Sequence, residues 1–154
     1  DVIGINTAIL GDGGNIGIGF AMPINRAKSM LEVYEERGEF VRPWLGFRSR
    51  FISGEFAKYL ELPSEGGYLV VEVLRGGSAA TAGLRGADRL VRVGNYRVPW
   101  GGDFITAVDG RKITSSDVLK RVMAKKRVGE KVIFDILREG TPQKLEITLR
   151  EAPR

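Results

Sequence analysis

The apolar positions of this chain fall mostly into short, strand-length runs cut by glycine-rich turns, and only a few stretches carry helical spacing. Val2 to Leu10 is the first run. Gly11 to Asn15 supplies residues tolerant of positive φ, and a second run follows from Ile16 to Ala21, so the pattern predicts a β-hairpin. After Pro23 the period changes. Asn25 offers an N-cap, and Ala27, Met30, Leu31 and Tyr34 recur at helical spacing before Gly38 ends the run, which predicts one amphipathic helix of about three turns. A hairpin and a helix bury too little to stand alone, because domains below about 40 residues usually need disulfides, metals or a partner. Residues 1–38 therefore read as the end of something larger, and the chain as a fragment that starts in mid-domain without a signal peptide.

Residues 39–154 have the pattern of a small β-rich domain with helices, so the fold class expected is mainly β, or α+β. Strands are predicted over Phe47 to Ile52, Tyr68 to Leu74, Phe104 to Val108, Lys131 to Arg138 and Lys144 to Arg150, with Asp109-Gly110 and Glu139-Gly140 as turns. Helices are predicted over Gly54 to Leu60, Ser78 to Gly83 and Ser116 to Arg127. In the last, Ser116 would be the N-cap, with Asp117 at the positive end of the dipole and Lys125, Lys126 and Arg127 at the negative end. Arg85 to Gly102 reads as an insertion. Its alternation on both sides of Gly94-Asn95 predicts a hairpin pairing Val93 with Tyr96 and Arg92 with Arg97, and places Val91, Val93, Tyr96 and Val98 on one face.

Composition narrows the chemistry. The 154 residues include no cysteine and no histidine, so a disulfide, a thiolate metal site, a Ser-His-Asp triad and a Cys-His dyad are all beyond this chain. No metal ligand set and no cofactor motif is present in the pattern; the glycines from Gly11 to Gly19 lack the Gly-Lys-Ser/Thr ending of a phosphate loop. No run reaches the roughly 20 apolar residues of a membrane-spanning helix. Charge is uneven: residues 1–40 carry three basic and six acidic side chains, net −3, and the remainder 21 basic and 13 acidic, net +8. A basic second unit attracts acidic partners, whether nucleic acid, anionic lipid or a peptide carboxylate. Lys125-Lys126-Arg127 lacks interleaved aromatics for base stacking, so no nucleic-acid partner is expected.

The segment carrying most recognition chemistry is Trp44-Leu45-Gly46-Phe47. An apolar-Gly-apolar turn at the head of a strand can aim successive backbone N–H groups into one concavity, which takes a free carboxylate without any charged side chain. A peptide held there could continue as an added strand along Phe47, Arg48 and Ser49. The helix after Ser116 offers Val118 with Val122, and Leu119 with Met123, as i, i+4 pairs. One pair is expected in the groove and the other in the core, with Val118 and Val122 favoured for the groove. Trp44 would either touch the peptide or cover the loop. Arg42 and Arg50 could assist the carboxylate or be solvated, the more common state of arginines on a basic domain.

These residues resemble known families. Trp44-Leu45-Gly46-Phe47, the run Ser78-Ala79-Ala80-Thr81-Ala82-Gly83-Leu84, Gly102-Asp103-Phe104-Ile105 and Val108-Asp109-Gly110 are similar to a PDZ domain of the bacterial circularly permuted type, a partly open β-barrel with two helices. Val2 to Thr7 and Asn15 to Pro23 resemble the last strands of an HtrA-type (Deg) trypsin-like serine protease. The resemblance implies that Ile5, Asn6, Thr7 and Ala8 lie beside a substrate, and that Ile18 and Phe20 help wall a specificity pocket. It implies a parent endopeptidase whose serine, histidine and aspartate precede Asp1, so the fragment itself is expected to be inactive. It further implies capture of C-termini or apolar segments of misfolded proteins, for degradation or for allosteric activation. A cell-envelope location and a trimer-based parent follow from it as well, the fragment alone being expected as a monomer. The rival reading is a scaffold or adaptor module without proteolysis.

Overall fold

In the computed structural model the described residues are 1–9, 19–38 and 42–152. They form two compact units, Asp1–Val41 and Arg42–Arg154.

In the first unit, β1 (Gly4–Ile9) pairs antiparallel with β2 (Gly19–Pro23), with an irregularity between Asn6 and Ala8. Thr7 is the extra residue there, and its hydroxyl donates to the Phe20 carbonyl at 3.1 Å. The turn predicted over Gly11 to Asn15, and Ile18, lie outside the described residues. The helix α1 (Ile24–Arg37) starts earlier than the expected Asn25 cap: Pro23 is the N-cap and Asn25 sits inside the first turn, its carbonyl accepting the Ser29 hydroxyl. The fixed φ of proline suits a helix entry, and the Ile24 amide bonded to the Ile3 carbonyl pins the helix start beside β1. Gly38 ends the helix as predicted, with φ +71° and its N–H on the Tyr34 carbonyl at 2.7 Å. Ala27 is the one buried apolar residue described in this unit, while Ile3, Ile5, Phe20, Leu31 and Tyr34 are exposed.

In the second unit the elements run β3 (Pro43–Trp44), β4 (Phe47–Ile52), α2 (Gly54–Tyr59), β5 (Gly67–Val73), α3 (Ser78–Thr81), β6 (Arg89–Val93), β7 (Tyr96–Trp100), β8 (Phe104–Val108), β9 (Arg111–Lys112), α4 (Val118–Met123), β10 (Lys131–Arg138), β11 (Thr141–Thr148) and β12 (Arg150–Glu151). The main sheet has the order β11-β10-β8-β5-β4, with β9 hydrogen-bonded to β8 alongside. The unit is mainly β with short helices, and the described strands close no barrel. Its three helical segments fall inside the three predicted ranges, each shorter than expected.

The mixed face pattern of the strands divides the core in two. Val70, Ile105, Phe134, Ile136 and Ile147 form the larger cluster with Ala79 of α3 and Val122 of α4. Ile52, Leu69 and Phe104 pack on the other face with Ala57 of α2 and Val98 of the inserted hairpin. That hairpin has the predicted register, Val93 opposite Tyr96 and Arg92 opposite Arg97. Its Val98 is fully buried and Val91 and Val93 are partly buried, whereas Tyr96 at the tip remains exposed.

A buried ion pair anchors the base of the insertion. Asp103, 1% exposed, receives both Nε and a terminal nitrogen of Arg138 at 2.8 Å, together with the Arg85 amide. The hydrogen bond from Arg138 to Asp103 holds the guanidinium even more firmly protonated than usual, against the opposing effect of burial. Arg138 also donates to the Gly83 carbonyl, tying the loop after α3 to the sheet.

Candidate functional site

The Trp44–Phe47 loop is held from behind by three carbonyls. That of Trp44 accepts the Ser78 hydroxyl at 2.7 Å, that of Leu45 the Ala79 amide at 2.9 Å, and that of Gly46 the Leu74 amide at 2.8 Å. A trans peptide unit points its C=O and its following N–H in opposite directions. The amides of Leu45, Gly46 and Phe47 therefore all face away from the 74–79 segment, and Leu45 and Gly46 donate to no carbonyl among the described residues. Gly46 makes this possible with φ +72°. A Cβ on it would lie 2.7 Å from the Gly77 Cα and 3.1 Å from the Trp44 indole, so both the backbone angle and the close approach require glycine. The Trp44 ring lies against Gly46, and its strand β3 pairs with β12 through Arg150.

The loop runs directly into an open sheet edge. The bond from Leu74 to Gly46 makes Phe47 and Val73 a non-hydrogen-bonded pair, so the N–H and C=O of Phe47 point away from β5. By strand alternation Ser49 and Phe51 do the same. Their side chains share one half-buried face, with Phe47 edge-on to Phe134 at 6.0 Å and Phe51 edge-on to Tyr68 at 5.8 Å. Arg48 and Arg50 project from the opposite, exposed face.

Helix α4 flanks the same core. Tyr68 of β5 donates its hydroxyl to the Ser116 carbonyl at 2.5 Å just before the helix. Burial, and then the nearby Asp117 charge, push this phenol above its ordinary value, so it remains a donor throughout the neutral range. The expected Ser116 cap is not formed. Asp117 is the N-cap without a side-chain cap bond, because its carboxylate is taken by the Ser115 hydroxyl and the Arg121 guanidinium. Those two bonds hold the Asp117 carboxyl below its ordinary value. The helix ends at Met123, so Lys125, Lys126 and Arg127 lie beyond its last turn.

Lys126 bridges instead to Asp109 at 2.8 Å and to the Lys131 carbonyl. Partial burial pushes the Asp109 carboxyl up, but the Lys126 bond, the Ile133 amide and the charges of Lys126 and Arg111 outweigh it and leave this group below its ordinary value.

The expected division of α4 into a groove pair and a core pair does not hold. Val122 is buried in the core cluster, while Val118, Leu119 and Met123 are all partly buried around it. The helix is too short for two separate faces. Arg50, three residues beyond Phe47 at about 3.3 Å per residue, lies roughly 10 Å down the strand and on the other face. Two shallow depressions lie elsewhere, one of about 340 Å³ beside Asp109 and Lys125 and one of about 250 Å³ beside Asp135 and Gln143.

The sequence places Ser78 at a helix start and at the head of the Ser78–Leu84 run, and gives no sign of its role behind the loop. Ser78 is 1% exposed, and besides bonding Trp44 it accepts the Arg150 amide at 2.8 Å, so one hydroxyl joins the loop to β12. Its spacing of 34 and 72 residues from these partners leaves no local signal. In the first unit, Ile5 and Phe20 are exposed, Asn6 pairs with Ala21, and Ala8 pairs with Phe20.

The family model described as PDZ domain matches residues 14–149. The chain belongs to the PDZ domain family. Within it, this is an HtrA-type PDZ segment. It is 36% identical over 150 residues to the periplasmic pH-dependent serine endoprotease DegQ of Escherichia coli K12, covering 97% of this chain and 30% of that protein. It is 35% identical over 153 residues to the periplasmic serine endoprotease DegP of the same organism, covering 99% and 29%. Two solved structures also align: the HtrA-type protease AlgW with decapeptide, at TM-score 0.71 and 30% identity over 100% of this chain and 43% of that one, and AlgW with tripeptide, at 0.70 and 32% over 100% and 46%. The chain thus spans about 30% of the curated relatives' length. Their periplasmic names support a cell-envelope location by family resemblance.

Proposed function

We propose that the second unit captures polypeptide C-termini, and that within a full-length protease it presents them for cleavage or relays an activating signal. The carrying observation is the fixed direction of the Leu45, Gly46 and Phe47 amides, opposite three satisfied carbonyls. A carboxylate placed there receives charge-assisted hydrogen bonds worth roughly 1.5–3 kcal/mol each. The peptide continues antiparallel along β4, exchanging backbone bonds with Phe47 and Ser49, and its last side chain lies between Leu45, Phe47 and the partly buried Val118, Leu119 and Met123. Val122 supports this pocket from within the core. No bond is made or broken; the unit binds and orients.

The first unit fits the tail of a trypsin-like barrel: it leaves Ile5, Phe20 and Leu31 exposed for packing against further chain, and it contains no histidine. In such a barrel Ile5 to Ala8 would lie beside the scissile peptide and Ile18 and Phe20 near the specificity pocket.

Fluorescence anisotropy tests the proposal. Free-acid peptides ending in an apolar residue should bind at micromolar strength, about −8 kcal/mol, and their amides at least tenfold more weakly. Gly46→Ala should abolish binding of both. Equal affinity for acid and amide would remove the amide nest from the mechanism.

A further inference from the structure

Resting on the reading of β4 as a peptide ledge, we infer that Arg50 selects ligands with an acidic side chain three residues before the C-terminus. The register follows from the backbone alone. With a carboxylate on the Leu45–Phe47 amides, the last peptide residue exchanges hydrogen bonds with Phe47, whose N–H and C=O face the open edge. Each further peptide residue then opposes the next residue of β4: the penultimate one faces Arg48, the next Ser49, and the one before that Arg50. Directly opposed residues of an antiparallel pair put their side chains on the same face. The last residue and the one two before it therefore lie over the core side with Phe47 and Ser49, and the alternate pair lies over the exposed arginine side.

The two arginines are not equivalent. Arg48 stands opposite Glu72 of β5 and pairs with it at 3.3 Å, so an acidic residue is already supplied at that position. Arg50 stands opposite Leu69, and no acidic partner reaches it among the described residues. It also occupies a non-hydrogen-bonded position relative to the incoming strand, where opposed side chains approach most closely. A basic domain surface, net +8 beyond residue 40, disfavours lysine or arginine at the same peptide position.

The test uses labelled ten-residue free-acid peptides ending in leucine, with Glu, Gln or Lys three residues before that leucine, and the amide of each. The expected order of affinity is Glu, Gln, Lys, with about threefold to tenfold between the first and last at low ionic strength, since exposed opposed charges contribute modestly. The spread should shrink in about 0.5 M salt. Arg50→Glu should invert the order, and Arg48→Gln should preserve it. Free-acid binding that is indifferent to this side chain, or a Glu preference that survives Arg50→Glu, overturns the inference and leaves the ledge standing. Equal binding of acids and amides, or no binding of either, overturns the ledge and the inference together.

Discussion

The Tyr68 hydroxyl reaches the Ser116 carbonyl at 2.5 Å, joining β5 to the chain just before α4. Tyr68 also meets Phe51 edge-on, so one side chain contacts both β4 and the entrance of α4 and fixes the spacing between them.

Replacing Tyr68 by Phe keeps the ring contact and removes the bond. The net loss is about 1 kcal/mol, and because the partner carbonyl is near the surface the fold should persist. The expected result is faster amide exchange in α4 and about threefold to tenfold weaker peptide binding, measured by hydrogen exchange and anisotropy. Unchanged exchange in α4 would show that this bond does not position the helix.

Ser78→Ala acts on the back of the loop. It strips partners from the Trp44 carbonyl and the Arg150 amide at a site 1% exposed. Leaving buried polar groups unpaired costs about 1–3 kcal/mol each, so urea unfolding should show a loss of about 2–4 kcal/mol, against less than about 1 kcal/mol for an exposed serine such as Ser64.

The Asp109–Lys126 clamp makes stability acid-sensitive. A carboxyl whose folded value lies below its unfolded one stabilises the fold fully above the unfolded value, near 4, and that contribution disappears as pH falls through the folded value. Asp109→Asn should lower the melting temperature at pH 7 and flatten its decline below about pH 4. A variant that melts with the native pH profile would remove the clamp from the stability account.

The legible parts of this fold were those written in local chemistry. Gly94-Asn95 between alternating residues specifies the register of the inserted hairpin, and Leu45-Gly46-Phe47 announces a positive-φ turn entering a strand. The misread parts were decided by distant partners. Ser116 looks like a helix cap, but Asp117 takes that position and the Ser116 carbonyl is bonded by Tyr68, 48 residues away. The last long strand starts at Thr141, ahead of the expected Lys144, because the Glu139-Gly140 turn has positive φ at both residues and sets Arg138 opposite Thr141. Pro142 is tolerated there because β11 is an edge strand. Leu149 then turns into the core, and the chain resumes as β12 against Trp44, splitting what looked like one strand. Ser78, Asp103 and Arg138 support the site over separations that no sequence window spans.

The central claim is that the Leu45, Gly46 and Phe47 amides hold a peptide carboxylate. It is tested most directly by a two-dimensional amide NMR titration with a free-acid peptide and its amide. The account predicts that the free acid moves the Leu45, Gly46 and Phe47 amide protons strongly downfield, with smaller shifts at Ser49 and Phe51, and that the amide leaves the first three nearly in place. Equal shifts with both peptides, or shifts concentrated on β11 or the β6–β7 hairpin, would contradict it.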